Sequence, residues 1–314
     1  MSHHLLAIEI GGSKLQLVVG TTAGEIIERR RLTVNAAEGA PGIRRQIEHH
    51  LPGLLQVFPV RRVAVGFGGP VDWRQGKIAC SHQIEGWSDF DLAGWLRPLV
   101  NAPVLVENDS NLAALGEAAR GAGVGRSPVF YFNLGSGVGG GLVVNGAVYH
   151  GAPPGEVEFG HLRLDRSGAT VESKCSGWAV DARIRALQTT KPTSTLCQMA
   201  CGESGGEARH LATAVAQGDV AARSILQTTA EDVAFALSHV VHLFHPESII
   251  LGGGLAGVGE PLRAAVEQAL PQFVMEVFQP GPHIALAKLA EDAVPVGALE
   301  LAAAADRISE AHVV

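Results

Sequence analysis

Two glycine turns carry the first chemical signal in this chain. One lies in LLAIEIGGSKLQLVVG (Leu5–Gly20) and the other in PVFYFNLGSGVGGGLVVNG (Pro128–Gly146). Slid into register, Glu9 falls on Asn133, Gly11 on Gly135 and Ser13 on Gly137. A turn stripped of side chains brings backbone N–H groups up to an anion, and phosphate is the usual one. The same glycines could instead serve ordinary hairpins that need a left-handed φ. Their repetition far apart in the chain argues for two related halves sharing one polyphosphate. A third glycine run, IILGGGLAG (Ile249–Gly257), follows a strand pattern and precedes a helical one. Its Gly252-x-Gly254-x-x-Gly257 spells a dinucleotide fingerprint, but it opens the last strand–helix unit and only a short strand follows. The same spelling at Gly135, Gly137 and Gly140 runs into a strand and fails the fingerprint's structural requirement. A helix start after Gly254 could hold an α-phosphate or adenosine. There is no GxxxxGK[ST] loop.

These turns need elements to hold them. Leu5–Ile10, Lys14–Val19 and Glu25–Thr33 are expected as a three-strand meander. In Gly42–Phe58 the apolar residues Ile43, Ile47, Leu51, Leu54 and Leu55 recur at helical steps. Arg62–Gly66 reads as a buried strand opening into Gly68–Gly69–Pro70, and Asp91–Val100 as a helix. Pro103–Glu107 is continuously apolar up to its last residue, as parallel strands are, and ends at Asn108–Asp109 before a helix over Asn111–Gly121. Open α/β sheets place ligands at such strand ends. Trp178–Leu187, Glu207–Gln217, Asp219–Phe244, Glu260–Val274 and Val296–Ala305 read as helices, and Ser248–Leu251 and His283–Ala287 as strands. The alternation predicts two doubly wound α/β domains with a cleft between them.

Composition narrows the function classes. The chain has 314 residues, 46% hydrophobic, with 39 glycines and 5% aromatics, which suits a two-domain α/β enzyme rich in tight turns. The net charge of −7 and the lack of any basic block beyond Arg29–Arg31 argue against a nucleic-acid surface. No apolar run reaches membrane-spanning length, and a strand starts by Leu5, so neither a membrane anchor nor a leader is expected. Cys80, Cys175, Cys197 and Cys201 are irregularly spaced, which points to a reducing, cytoplasmic setting and packed or idle thiols. Trp73, Trp87, Trp95 and Trp178 are expected in core or lid packing rather than on a sugar.

The motifs together resemble a known family. IEIGGSK (Ile8–Lys14) resembles the DIGGTK phosphate loop of ROK-family sugar kinases, within the actin/hexokinase superfamily. VGFGGPVD (Val65–Asp72) is similar to GIGxPGxVD, VENDSNLAALGE (Val106–Glu117) to ENDANAAALGE, and LGSGVGGGLVVNG to LGTGxGGGxxxxG. EFGHL (Glu158–Leu162) resembles the ExGH sugar motif, and Ile249–Gly257 the adenosine loop. The matches keep the family's order from about Leu5 to Leu301. The resemblance implies an α/β fold of two duplicated actin/hexokinase-like (ribonuclease H-like) domains flanking a cleft. The expected division is 1–117 joined by a returning helix at 296–306, and 118–295.

The implied activity is ATP- and Mg²⁺-dependent phosphorylation of a hexose or related sugar, glucose by default. Asp109 would be the general base, its alternative being the N-cap of the next helix. Gly68, Asn108, Asp109, Glu158, His161 and Glu172 would contact the sugar, Glu158, His161 and Glu172 having structural hydrogen bonding as their plainer role. Gly11, Gly12, Ser13, Lys14, Gly135, Ser136 and Gly137 would approach the β- and γ-phosphates, and Gly253 and Gly254 the adenosine and α-phosphate. Two departures stand out. Glu9 replaces the family's aspartate, so the carboxylate expected to hold Mg²⁺, usually through water, reaches one methylene further. The CxCGxxGCxE zinc loop is missing: LRLDRSGATVESKCSGW follows His161, and no zinc site is expected. The resemblance also implies a homodimer. A catalytically weak, sugar-binding sensor is the alternative; a repressor is disfavoured because the chain starts at the phosphate-loop strand.

Overall fold

The structure, a computed structural model, describes residues 4–311 apart from 82, 83, 154 and 156. Internal contacts gather the chain into two units. The first takes the chain up to Val124, then Gly141–Val157 and the segment from Glu291 onward; the second takes Gly125–Gly140 and Glu158–Ala290. The sequence reading had kept Gly141–Val157 with the second half.

The elements run β1 His4–Ile10, β2 Lys14–Gly20, β3 Ile26–Thr33, α1 Gly39–Val57, β4 Val60–Phe67, then three two-residue strands, β5 Val71–Asp72, β6 Lys77–Ile78 and β7 Phe90–Asp91. Next come α2 Leu92–Val100, β8 Val104–Asn108 and α3 Asp109–Arg120. The first sheet has the order β3-β2-β1-β4-β8, with β1, β4 and β8 parallel and the β1–β2–β3 meander antiparallel.

Strand β1 is apolar at successive positions because both of its faces are covered. Leu6, Ile8 and Ile10 join Ile43, Ile47 and Leu51 of α1 and Leu92 and Leu96 of α2 in one core. Leu5 and Ala7 join a second core with Leu112 of α3 and Ala298, Leu299 and Ala302 of the final helix. The edge strand β3 has no buried residue and carries Arg29, Arg30 and Arg31. Charge on an edge deters pairing with another chain. Arg29 is ion-paired with Asp292 at 2.5 Å, and Arg31 with Glu291.

The chain continues with β9 Val129–Leu134, β10 Val138–Val144, β11 Ala147–Val148, α4 Val171–Cys175, α5 Gly177–Thr190, α6 Thr195–Met199, α7 Leu211–Ala216 and α8 Val220–Phe244. It closes with β12 Ser248–Gly252, α9 Glu260–Ala269, β13 His283–Leu286 and α10 Ala293–Ala311. The second sheet has the order β11-β10-β9-β12-β13, with β9, β12 and β13 parallel. Strand for strand, it repeats the first. In both, a hairpin leads into the centre and a parallel strand pairs with its first arm, ending beside the hairpin's turn. Glu9 pairs with Gly66 on β4, and its counterpart Asn133 pairs with Gly252 on β12.

Among the described residues no helix is long and apolar enough to cross a membrane. Most elements lie where periodicity put them. The differences are short pieces: β5–β7, α4 and α6 had no expectation. Glu207–Gln217 splits into a 3-10 turn (Glu207–His210) and α7. The helix from Glu260 stops at Ala269, and Leu270–Gln272, which contains Pro271, continues it as a 3-10 turn.

Candidate active site

The first unit assembles the carboxylate corner. Strand β8 delivers Asn108 and Asp109 to the sheet's carboxyl edge. Asn108 caps α3: its Oδ1 accepts from the Ser110 and Asn111 N–H groups at 2.8 and 3.2 Å. Its Nδ2 donates to the Gly69 carbonyl at 3.2 Å. The capping role weighed for Asp109 therefore belongs to Asn108. Asp109 opens the helix half-buried. A Cβ built on Gly68 would stand 3.3 Å from Asp109 Oδ2, so a side chain at 68 would crowd the carboxylate. The Gly68 N–H donates to the Ile10 carbonyl at 3.0 Å, which ties this corner to the first glycine turn. Gly11, Gly12 and Gly68 line one small cleft with Phe67, Ser81, Ile84 and Trp87.

That turn is shut by the Gly11 N–H donating to the Lys14 carbonyl at 2.9 Å. Gly11, Gly135 and Gly137 do not adopt a left-handed φ, so backbone freedom is not what these positions need. Glu9 forms an ion pair with Lys14 Nζ at 2.9 Å and accepts from Gln16 Nε2 at 2.7 Å. Among the described residues no group of three or more His, Cys, Asp or Glu side chains is placed to hold a metal ion. A lone carboxylate with two donors fits an ion held chiefly by phosphate and water, and does not fit one caged by protein.

Behind Asp109 lies a pair that sequence reasoning missed. Glu107, 2% exposed, accepts from the Asn108 N–H and Asn111 Nδ2 through Oε1, at 2.9 and 3.0 Å. Its Oε2 lies 2.5 Å from His150 Nε2. His150 in turn stacks on Trp73, ring centroids 4.1 Å apart. An acidic residue closing an apolar strand was the available signal for Glu107. Nothing local marked His150.

The second unit holds the other expected ligands. Glu158 and His161 are exposed and flank the buried Phe159 and Gly160. Phe159 sets its ring edge-on to Phe130 and Phe132 of β9, and a Cβ on Gly160 would collide with the Val138 carbonyl. The pair is thus anchored to the sheet while its polar groups face outward. Glu172, expected beside them, has one carboxylate oxygen engaged at the second glycine turn. Its Oε2 accepts from the Val138 N–H at 2.9 Å, which places it under the second glycine turn. Where the family's cysteine loop would stand, Leu162–Val171 forms a tight turn. The Leu164 and Val171 N–H groups donate to the Ala169 and Leu162 carbonyls at 2.8 and 2.9 Å. Asp165 accepts from Ser167 Oγ and the Gly168 N–H at 2.6 and 3.0 Å, bonds that hold its carboxyl below the usual range.

The two remaining glycine runs meet in this unit. Gly253, at φ +81°, lies against the second turn: a Cβ there would stand 2.5 Å from Asn133 Oδ1 and from the Leu134 carbonyl carbon. The Gly177 N–H, at the start of α5, donates to the Gly135 carbonyl at 2.8 Å. Gly135, Ser136 and Gly254 line a cavity of about 410 Å³, together with Gly177, Trp178 and Asp181. Of the four tryptophans, Trp87 is fully buried, and Trp73 and Trp95 are partly buried against the same core, as packing predicts. Trp178 is 64% exposed, so packing does not account for it.

Comparison with known proteins agrees along the whole chain. It is 28% identical over 307 residues to a glucokinase of Halalkalibacterium halodurans, covering 93% of this chain and 92% of that one. It is 26% identical over 305 residues to a glucokinase of Thermotoga maritima, covering 95% and 96%. Its fold is similar to that of a ROK family glucokinase from Streptomyces griseus in complex with glucose and AMPPNP. There the TM-score is 0.83 and the identity 28%, over 95% of this chain and 99% of that one. The ROK family model matches residues 5–305, and with the duplicated sheets and glycine turns in place, the chain belongs to the ROK family.

Proposed function

We propose that this protein is an ATP-dependent sugar kinase that phosphorylates a hexose, with glucose the first sugar to test and Asp109 the general base. The observation that carries the reading is the Asp109 corner. A half-buried carboxylate at a strand end is pressed against Gly68, which is hydrogen-bonded to the strand running into the first glycine turn.

Phosphoryl transfer asks a protein for positioning, charge neutralisation and a proton acceptor. Asp109 takes the proton of the attacking hydroxyl as its oxygen bonds to the γ-phosphorus and ADP leaves. Asn108 fixes the helix start that carries Asp109 and keeps an amide hydrogen for the sugar. Glu158 and His161 suit sugar hydroxyls, which both donate and accept, and Glu172 is the third proposed sugar contact. The Gly11 N–H closes its own turn, so the amides of Gly12 and Ser13, with Lys14, meet the β- and γ-phosphates. Gly135, Ser136 and Gly137 meet them from the second turn, and Gly253 and Gly254 border the adenosine cavity. Magnesium carried in with ATP would supply charge neutralisation at the phosphates, and Glu9 is the residue that would hold its water shell. The working assembly is proposed to be a homodimer, which light scattering reads directly.

The test is release of ADP from ATP and Mg²⁺ across a panel of sugars, with Asp109→Ala alongside. The expected outcome is hexose-dependent ADP release that falls by about 10²–10⁴-fold in the variant, the usual span for a general base. ADP release indifferent to every sugar, or to the substitution, overturns the reading. Sugar binding without turnover would identify a sensor instead.

A further inference from the structure

The cavity of about 410 Å³ in the second unit is walled in part by glycine backbone, at Gly135, Gly177, Gly206, Gly254 and Gly257. One aromatic side chain stands at it. Trp178, the second residue of α5, lines the cavity with its indole 64% exposed. Exposure on this scale leaves most of the indole's apolar surface in water, a cost that a ligand would remove.

The charged side chains around the same cavity are already committed. Asp181 is 3% exposed. Its Oδ2 accepts from the Gly206 N–H at 2.9 Å and its Oδ1 from the Ala208 N–H at 2.7 Å, so it shapes the wall. The Arg209 guanidinium is paired with Glu203. Besides backbone, what the cavity presents is the flat π surface of Trp178, the apolar Leu255 and Val258 and, beside the second glycine turn, the short Ser136 side chain.

We propose that Trp178 is the platform on which the nucleotide base stacks, and that the site reads the base's face rather than its hydrogen-bonding edge. This rests on the cavity being the adenosine site, as proposed above. Edge recognition requires buried polar groups held ready for one pattern, and it rejects a base lacking that pattern strongly. Stacking tolerates any base because every base has a π face. The donor class is therefore purine nucleoside triphosphates in general, the 6-amino and 6-oxo purines being accepted alike and the smaller pyrimidines less well.

The experiment is calorimetric titration of the full chain with ADP, GDP and CDP, for the parent protein, Trp178→Ala and Trp178→Phe, with sugar phosphorylation by ATP and GTP measured in parallel. ADP and GDP should bind with Kd values within about tenfold of each other, and CDP more weakly. Trp178→Ala should weaken ADP and GDP alike by about tenfold, and Trp178→Phe should recover most of the loss, because a π face is restored. The KM for the sugar should not move. An adenine preference well beyond about tenfold marks edge recognition and overturns the proposal. So does Trp178→Ala binding ADP as the parent does. The two readings fail separately. Nucleotide binding as described with no sugar phosphorylated removes the kinase and keeps the platform. Sugar phosphorylation with unchanged nucleotide affinity in Trp178→Ala does the reverse.

Discussion

Glu107 and His150 brace the strand-to-helix junction that carries Asp109. Glu107 accepts from the backbone of Asn108 and the side chain of Asn111, and so braces the first turn of the helix that Asp109 opens. His150 closes the arrangement from a loop 43 residues on. Replacing His150 by alanine strips a charge-assisted hydrogen bond from a carboxylate that is 2% exposed. The expected cost is about 2–3 kcal/mol, read as a lower urea midpoint. Adding Glu107→Gln should return part of it, since no buried charge is then left short of a partner. At this scale the sequence shows the residues that are adjacent in the chain. The glycine turns and the Asn108–Asp109 junction are legible because strand, turn and cap are local. The partner of Glu107 is not, because only the folded chain brings residue 150 to it. Asn108 and Asp109 exchanged roles as cap for a similar reason: both are good N-caps, and the choice is made by where the strand lets go.

The helices α3 and α10 meet through glycine. A Cβ on Gly116 would collide with the Ala293 carbonyl, and one on Gly297 with the Leu112 carbonyl, so the two backbones lie as close as they do only because both positions lack a side chain. Gly297→Ala is expected to cost about 3 kcal/mol, the upper end of the usual overpacking penalty, measured by urea denaturation. Helix α8 is tied down differently. Asp219, 9% exposed, accepts from the Ala221 and Ala222 N–H groups at 2.7 and 3.0 Å and from the Leu196 N–H at 2.9 Å, so one carboxylate caps α8 and holds α6 to it. Burial pushes its pKa up, but the backbone hydrogen bonds outweigh that and the net shift is below the ordinary 3.8. A depressed carboxylate stabilises above its unfolded value and loses that contribution as pH falls through the folded one. Asp219→Ala should therefore cost about 1–2 kcal/mol at pH 7, and the gap from the parent should close as the pH drops below 3.8, in urea melts across pH. Long elements were legible from their periods. The two-residue strands β5–β7 and the five-residue α4 and α6 were not, because a stretch that short completes no repeat.

The duplication is the feature of the whole molecule that the sequence announced most clearly, through two turns of the same pattern, and the two sheets repeat it strand for strand. The returning C-terminal helix was expected with the first domain from the family resemblance; what no pattern revealed is that Gly141–Val157 groups with the first unit as well. Grouping of this kind depends on contacts between distant segments, to which a local pattern is blind. Its effect concerns the order of manufacture. A ribosome emits β1 long before α10, yet Leu5 and Ala7 on one face of β1 are packed with Ala298, Leu299 and Ala302 of α10. During synthesis that face of the first sheet has α3, through Leu112, but lacks α10 until after the long run Glu158–Ala290 of the second unit has been made. The first sheet is thus made before the second and finished after it, and over that interval the nascent chain carries a part-covered apolar face that invites chaperone binding.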